Sequence, residues 1–230
     1  MSIPLPLLIT GTTGVAGYNA LDYFQQRYPG QVVGICQTDA PRQVGRGVLA
    51  CDVEDREGIR RLFEQYQFRS VLDCAGSCAL KACELNRRMA WEANVEGARN
   101  LAQQTAAHDC RLVHLSVDLV FSGLREGTYT EEDTPDPVSY YGKTMVVGEE
   151  VTFEHNPQAC ILRISLPMGI SFNGHAGAID WILSRFKKAR QATLYFDEVR
   201  TPAYTDCLNE LYAAMLSNSE AGLFHAGGPR

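Results

Sequence analysis

The sequence predicts an α/β fold built on a doubly wound parallel sheet. Short apolar runs that suit strands alternate with helix-like segments along most of the 230 residues, and this alternation favours parallel strands joined by right-handed crossovers. Three glycines spaced three residues apart, Gly11, Gly14 and Gly17, lie between the first strand and the first helix. Glycine lets the backbone approach a pyrophosphate closely, and the helix N-terminus offers free N–H groups. The sequence therefore predicts a Rossmann-type sheet with a dinucleotide site at its first turn.

The elements up to residue 165 follow from the apolar pattern, taken in chain order. Strands are predicted at 5–10, 31–36, 47–51, 70–74, 111–116 and 159–164. Helices are predicted between them at 18–27, 55–66, 85–108 and 140–155. The strands are short apolar runs, and in helix 55–66 the apolar residues Ile59, Leu62, Phe63 and Tyr66 recur on one face.

The pattern changes after residue 165. We expect residues 1–165 to form an NAD(P)-binding domain and residues 166–230 to form part of a substrate-binding region interwoven with it. In the second part a loop is predicted at 171–177, helices at 178–190 and 205–217, and a strand at 192–195. The chain finishes with a strand-like run, 223–225, followed by a turn. Because a domain rarely ends in this way, we expect this small C-terminal region to be truncated.

Composition narrows the class of protein. The chain is 45% hydrophobic and 21% charged with a net charge of −6, which argues against a basic nucleic-acid surface. We find no apolar run of membrane-spanning length and no signal peptide. The sequence therefore predicts a cytoplasmic protein without nucleic-acid or membrane partners. Its eight cysteines show neither a Cys-x-x-Cys pair nor a nearby histidine, so we expect reduced thiols and no metal site.

Later segments carry a resemblance to a known family. Asp52 follows the third strand, and Cys74-Ala75-Gly76 follows the fourth. Further blocks lie at 82–84, 93–102, 114–123, 129–135 and 141–149. Together they resemble the extended short-chain dehydrogenase/reductase superfamily, and within it the dTDP-4-dehydrorhamnose reductase-like family of sugar-nucleotide reductases. The regulatory β-subunit of methionine adenosyltransferase is a relative within this family. The similarity runs from about residue 5 to residue 228.

The resemblance implies a role for each matching position. Tyr141 would donate a proton to the carbonyl of a nucleotide-linked sugar. The implied cofactor-binding residues are Gly11, Thr13, Gly14, Val15, Gly17, Thr38, Arg42, Asp52, Val53, Ala75, Gly76, Asn94 and Tyr141. The implied substrate-binding residues are Ser116, Asp118, Phe172, Asn173 and Arg200. A homodimer through the helices 85–108 and 140–155 is also expected from the family.

The end of the second strand bears on the choice of cofactor. An acidic residue there would bind the ribose hydroxyls of NAD, but Cys36, Gln37 and Thr38 occupy it. Arg42 and Arg46 follow and could meet a 2′-phosphate, although both arginines could equally lie in a solvated loop. The sequence therefore favours NADP, with NAD as the alternative.

Two departures from the family pattern bear directly on the chemistry. A phenol is a poor acid near neutral pH unless a neighbouring cation lowers its pKa, and the family has a lysine four residues after the tyrosine and a threonine on the preceding strand. Here these positions are Met145 and Val117, while Lys143 lies on the other side of the helix and Ser116 points the other way.

Two interpretations stay open. The protein is an NADP-dependent reductase of a nucleotide-linked 4-keto sugar with Tyr141 as acid, or it is a non-catalytic, nucleotide-binding regulatory or scaffolding member. An epimerase or dehydratase would need the same Tyr–Lys pair.

Overall fold

A computed structural model describes residues 2–125 and 128–228 of the chain. Its main sheet has seven strands in the order β3-β2-β1-β4-β5-β6-β9, and every neighbouring pair in it is parallel. Those strands are β1 (Leu7–Ile9), β2 (Val32–Cys36), β3 (Val48–Ala50), β4 (Ser70–Asp73), β5 (Arg111–Val117), β6 (Cys160–Ile164) and β9 (Gly222–Ala226). A separate pair joins β7 (Pro167–Met168) to β8 (Ala203–Tyr204).

The helices lie between the strands and cover both faces of the sheet. They are α1 (Val15–Arg27), α2 (Arg56–Tyr66), α3 (Leu80–Leu85), α4 (Arg87–Trp91), α5 (Gly97–Ala107), α6 (Tyr140–His155), α7 (Ala178–Lys187) and α8 (Thr205–Ser217). A π-helical segment, Glu92–Glu96, connects α4 to α5. Within the described part of the chain, none of these helices is long and apolar enough to cross a membrane.

The core has one layer on each side of the sheet, because alternate strand residues face opposite sides. Leu7 and Ile9 of β1 pack with α1 and α8, where Phe24 and Tyr212 are fully buried. Leu8 packs on the other face with α2 and α5. The predicted doubly wound parallel sheet is therefore confirmed.

One predicted element is irregular and another is wrong. The helix predicted at 85–108 is present as the contiguous run of α4, the π segment and α5 from 87 to 107, and the Asn86 side chain caps its start by accepting a hydrogen bond from the Met89 amide (3.1 Å). Residues 192–195 form no strand. No described strand pairs with this segment, since the neighbouring β8 pairs with β7 instead.

Residues on both sides of position 165 contribute to the main sheet. The run predicted as a strand at 223–225 is the centre of β9, which pairs with β6. α8 also packs in the layer that contains α1. The division into a cofactor domain and a substrate region stays a prediction.

Candidate functional site

Of the three glycines in the turn after β1, only Gly14 has space around it for a Cβ atom. Gly11 has φ +62°, and a Cβ there would overlap the carbonyl oxygen of Cys74. A Cβ at Gly17 would overlap the Gly11 backbone, so packing explains both of these glycines. A Cβ at Gly14 would meet nothing closer than the Gly11 oxygen at 3.5 Å. Gly14 is also the N-cap of α1 and provides no side-chain cap, which leaves this helix end suited to an anion.

The loop after β4 lies against the glycine turn, since the Cys74 carbonyl oxygen adjoins Gly11. Gly76 has φ +130° and lies against the side chain of Asn94. Asn94 accepts a hydrogen bond from the Ser77 amide (2.7 Å) and donates one to Thr144 of α6 (2.8 Å). The predicted residues Ala75, Gly76 and Asn94 are therefore brought together, and Asn94 connects the loop to the helix that carries Tyr141.

The predicted adenine end lies on the other side of the glycine turn. The amide and hydroxyl of Thr38 donate to the Asp52 carboxylate at 3.0 and 2.5 Å. The Thr13 hydroxyl donates to Gln37 at the end of β2 (3.2 Å). Val53 is buried with the α2–α5 layer. Arg42 and Arg46 are exposed on the connection between β2 and β3.

Tyr141 lies in an apolar cluster at the start of α6. It is 5% exposed and packs with Met145, Val120 and Phe121, while Val117 lies against the same cluster. Its hydroxyl makes no hydrogen bond to any described residue. Burial raises the pKa of Tyr141 well above its usual range, with further contributions from Cys78, Asp118 and Cys83, and the charge of Arg200 opposes the rise.

The position that a lysine occupies in the family is filled by an apolar side chain. Met145 is 4% exposed and is part of the cluster around Tyr141, whereas Lys143 is exposed. An ammonium group at position 145 would lie close to the phenol, but Met145 offers it neither charge nor hydrogen bond. That two of the three catalytic side chains are replaced stays a prediction.

Asp118 and Arg200, both predicted to contact substrate, bind each other. The Arg200 guanidinium donates from Nε to Asp118 Oδ2 (2.7 Å) and from Nη2 to Oδ1 (2.6 Å). Ser165 donates to the same carboxylate (2.7 Å), and Glu198 accepts from Arg200 Nη1 (3.2 Å). Although burial works against it, this pairing raises the pKa of Arg200 above its usual value. The guanidinium is thus shared by two carboxylates.

Phe172 and Asn173 lie in a loop that folds back over the glycine turn. The Phe172 amide donates to the Thr13 carbonyl (3.3 Å), and its ring meets Tyr18 of α1 edge-on at 6.0 Å. Buried Asp180 holds the loop by accepting a hydrogen bond from Ser171 Oγ (2.6 Å). Both residues are therefore brought near the turn predicted to bind the pyrophosphate.

Ser116 is separated from the other predicted substrate-binding residues. It is fully buried, and its hydroxyl donates to Glu149 of α6 (2.5 Å). Arg163 of β6 binds the same carboxylate through Nε (2.8 Å) and Nη2 (2.7 Å). Because neighbouring strand residues point to opposite faces, Ser116 joins this buried ion pair while Val117 packs against the apolar cluster that contains Tyr141.

Other polar residues of the site were missed by sequence reasoning. Asp73 and His114 lie side by side on β4 and β5, and Thr10 reaches Asp73 from the end of β1. Ser165 bonds Asp118. The sequence signal that could have identified them is a polar residue within an otherwise apolar strand or at its end. Buried polar groups of this kind form hydrogen bonds with partners.

The cysteine side chains form no disulfide bond with one another. All eight cysteines are free. No group of three or more His, Cys, Asp or Glu side chains in the described ranges could hold a metal ion.

Known proteins share this architecture and sequence pattern. The crystal structure of dTDP-4-dehydrorhamnose reductase from Bacillus anthracis in complex with NADP is similar, with a TM-score of 0.84 and 21% identity over 97% of this chain and 74% of that one. Methionine adenosyltransferase 2 subunit beta from Rattus norvegicus is 30% identical over 228 residues, which are 96% of this chain and 66% of that protein. The dTDP-4-dehydrorhamnose reductase of Mycolicibacterium smegmatis is 29% identical over 220 residues, 90% of this chain and 65% of the enzyme.

The chain spans about two-thirds of the length of these two relatives. The model of one family, the RmlD substrate binding domain, matches residues 5–230. This match confirms the family that the sequence motifs indicated. The chain belongs to the RmlD substrate binding domain family.

Proposed function

We propose that this protein binds NADP(H) and a nucleotide-linked sugar, and that its reductase chemistry is suppressed at the proton-transfer site. One observation carries the proposal: Tyr141 is buried among apolar side chains, with Met145 where the family has its lysine. The dinucleotide end of the cleft, in contrast, keeps its glycine turn. The function that the geometry supports best is thus a nucleotide-binding member with a regulatory or scaffolding role.

The fit of the cofactor is supported by the open position at Gly14. Since no protein atom requires glycine there, close approach of a pyrophosphate is a physical reason for it. The residues that would hold the cofactor are those of the glycine turn, Thr38 with Asp52, and the Ala75–Gly76 loop. NADP is favoured over NAD because Cys36, Gln37 and Thr38 provide no carboxylate at the end of β2, and Asp52 is already bonded by Thr38.

We expect the reductase reaction to be blocked at the transfer of a proton from Tyr141 to the substrate. NADPH, when bound, supplies a hydride, and the substrate oxygen must then receive a proton from the protein. A phenol whose pKa is raised by burial donates that proton poorly. Loss of a positioned acid of this kind typically costs on the order of 10²–10⁴-fold in rate.

A second candidate function, a working reductase with Tyr141 as the acid, is favoured by Arg200. Its charge lowers the pKa of Tyr141, so it could stand in for the missing lysine. Its two bonds to Asp118 offset much of that charge. The relative from M. smegmatis, named as a dTDP-4-dehydrorhamnose reductase, indicates the substrate with which to test this function.

The experiment has a binding arm and a turnover arm. NADPH binding is measured by fluorescence titration, and NADPH oxidation is then followed with dTDP-4-dehydrorhamnose. We expect the wild type to bind NADPH without measurable turnover, and the double variant Val117→Thr, Met145→Lys to gain activity. Lys143→Met is the matched control, because it changes an exposed lysine on the same helix.

The outcomes separate the two candidates. Turnover by the wild type would establish the reductase and reject the suppressed chemistry. No NADPH binding by the wild type would reject both. The homodimer expected from the family is a separate prediction, which the sedimentation of the same samples tests.

A further inference from the structure

Two cysteines occupy paired positions at the start of α3. Ala79 is the N-cap of this helix, so Cys78 precedes the cap and Cys83 is the fourth residue of the helix. Side chains at these two positions commonly pack against each other and fix the angle at which the chain enters a helix. The local geometry therefore favours contact between the two thiols.

The hydrogen bonds of Cys83 show where its sulfur lies. Cys83 is fully buried, and its amide donates to the Ala79 carbonyl oxygen (3.0 Å). Its thiol donates to the Ser77 carbonyl oxygen (3.3 Å) and lies 3.6 Å from the Ser77 hydroxyl. Because that carbonyl belongs to the peptide group that joins Ser77 to Cys78, the Cys83 sulfur lies against the backbone that leads into Cys78.

Cys78 has the complementary property, which is access from solvent. It is exposed, so a small reagent can reach it. Partial burial of its sulfur nevertheless raises the pKa of Cys78, and the neighbouring Cys83 adds to the rise. The reactive thiolate is therefore scarce at neutral pH and becomes more abundant as the pH rises.

The two thiols lie beside the candidate proton donor. Cys83 belongs to the apolar cluster that contains Tyr141 and Met145. Burial is the main cause of the raised pKa of Tyr141, and Cys78 and Cys83 both add to it. A covalent change at these thiols would therefore occur next to the phenol.

We propose that Cys78 and Cys83 form a dithiol site that closes to a disulfide by exchange with a small disulfide such as oxidised glutathione. The Cys78 thiolate attacks one sulfur of the reagent, which gives a mixed disulfide and releases one thiolate. Cys83 then loses its proton, attacks the Cys78 sulfur and releases the second thiolate. The protein loses two electrons and two protons, and the reagent becomes two thiols. Closure breaks the hydrogen bond from Cys83 to Ser77 and joins the loop after β4 covalently to α3.

Trypsin provides a direct test, because it cleaves after Lys81, between the two cysteines. The folded protein is treated with oxidised glutathione, its remaining thiols are blocked with N-ethylmaleimide, and it is digested without reductant. We expect mass spectrometry to find peptide 70–81 joined to peptide 82–87, and the two to separate on reduction. Peptide 82–87 contains Cys83 alone, whereas peptide 70–81 contains both Cys74 and Cys78.

Variants assign the partner and the order of the steps. Cys78→Ser should abolish the joined peptides, and the matched control Cys74→Ser, in the same peptide, should retain them. Cys83→Ser removes the second thiol, so glutathione should remain attached to Cys78 in this variant. Cys207 is exposed on α8 and should carry glutathione in every sample. The melting temperature of each variant verifies that it is folded.

The rate of closure gives a second readout. Since the fraction of thiolate grows about tenfold per pH unit below the pKa of a thiol, closure should be about tenfold faster at pH 8 than at pH 7. A rate that does not change with pH would contradict attack by the Cys78 thiolate.

Three further results would overturn the inference. The first is the absence of joined peptides from the treated wild type, and the second is their persistence in Cys78→Ser. The third is a link that forms only in urea, because the fold would then not bring the two sulfurs together. None of these results bears on the proposed binding of NADP(H), which is measured separately.

Discussion

Gly14 offers a test at the scale of one residue, because the fold has space for a side chain there whereas a bound pyrophosphate would leave none. Its φ of −78° is ordinary for any residue, and a Cβ would have space. Gly14→Ala should therefore fold with nearly wild-type stability, within about 1 kcal/mol. It should bind NADPH at least tenfold more weakly, since the methyl group occupies the space for the pyrophosphate. Thermal melting measures the stability of Gly14→Ala, and fluorescence titration measures its affinity for NADPH.

Gly17→Ala serves as the contrast to Gly14→Ala. A methyl group there meets the Gly11 backbone, so the variant should melt at a clearly lower temperature than the wild type. If Gly14→Ala binds NADPH normally, the glycine turn is not the pyrophosphate site.

The Asp118–Arg200 pair supports a second prediction for single residues. A nucleoside diphosphate must compete with the Asp118 carboxylate for the guanidinium. Asp118→Asn removes the competing charge, so we expect dTDP to bind roughly five- to tenfold more tightly, the effect of about 1 kcal/mol. Calorimetric titration with dTDP measures this change. Glu198→Gln, at the more exposed carboxylate, should have less effect, and an unchanged affinity in Asp118→Asn would show that Arg200 does not receive the diphosphate.

Sequence spacing is most informative about individual residues where local geometry decides. The three glycines, and the change from Lys to Met at position 145, can be identified along one stretch of chain. The opposite orientation of Ser116 and Val117 follows from strand geometry alone. The partners of Asp73 could not be predicted, because Thr10 and His114 lie 63 and 41 residues away and meet it only through the strand order.

At the scale of elements, the region 85–108 shows why a continuous helical pattern does not ensure regular α-helical turns. Asn94 lies in the π segment, and a Cβ at Gly148 of α6 would come within 2.7 Å of its carbonyl oxygen. The close approach of α6 and the bonds of Asn94 to Ser77 and Thr144 accompany the irregular turn. π segments of this kind are frequent at functional sites. The irregularity depends on tertiary contacts that no local pattern contains.

The buried pair Glu149–Arg163 should be the main polar connection between α6 and β6. Arg163→Met leaves the Glu149 carboxylate buried with only Ser116 as donor, a loss of about 3–5 kcal/mol for a buried pair. The melting temperature should fall by roughly 10 °C in a chain of this size. Thermal melting measures the effect.

A matched control for this prediction lies on α2. Arg60 forms exposed ion pairs with Glu57 and Glu64, so Arg60→Met should lower the melting temperature far less than Arg163→Met. The double variant Glu149→Leu, Arg163→Met should recover part of the loss, because no buried charge remains unpaired. Equal melting temperatures for Arg60→Met and Arg163→Met would contradict the importance of the buried pair.

At the scale of the whole molecule, the alternating pattern was sufficient to predict the parallel sheet. The strand order runs outward in opposite directions from β1 and from β4. The glycine turn lies at this switch point, where ligands bind in open α/β sheets. The segment 192–195 was mispredicted because its apolar residues resemble a strand, yet Leu194 and Tyr195 are exposed, as is the neighbouring Phe196 (99%). Composition alone does not reveal whether an apolar run has a neighbouring strand to pair with.

The distribution of thiols through the core predicts how the whole fold responds to alkaline pH. Burial raises the pKa of Cys51 and Cys160 to about 11 and that of Cys110 to about 12. In the unfolded chain these thiols ionise near pH 9, so between pH 9 and 11 the unfolded state loses protons that the folded state keeps. The free energy of unfolding therefore decreases as pH rises through this window, by at most about 1.4 kcal/mol per pH unit for each thiol.

Cys110→Ala isolates one of these contributions. Urea unfolding at pH 7.5, 9 and 10 should show the wild type losing stability above pH 9, and the variant, although less stable at pH 7.5, losing less over the same interval. Cys207→Ala is the control, because that thiol is exposed on α8 and its removal should leave the slope unchanged. Parallel pH profiles for the wild type and Cys110→Ala would show that the alkaline loss comes from other groups whose pKa is raised by burial, such as the phenol of Tyr212.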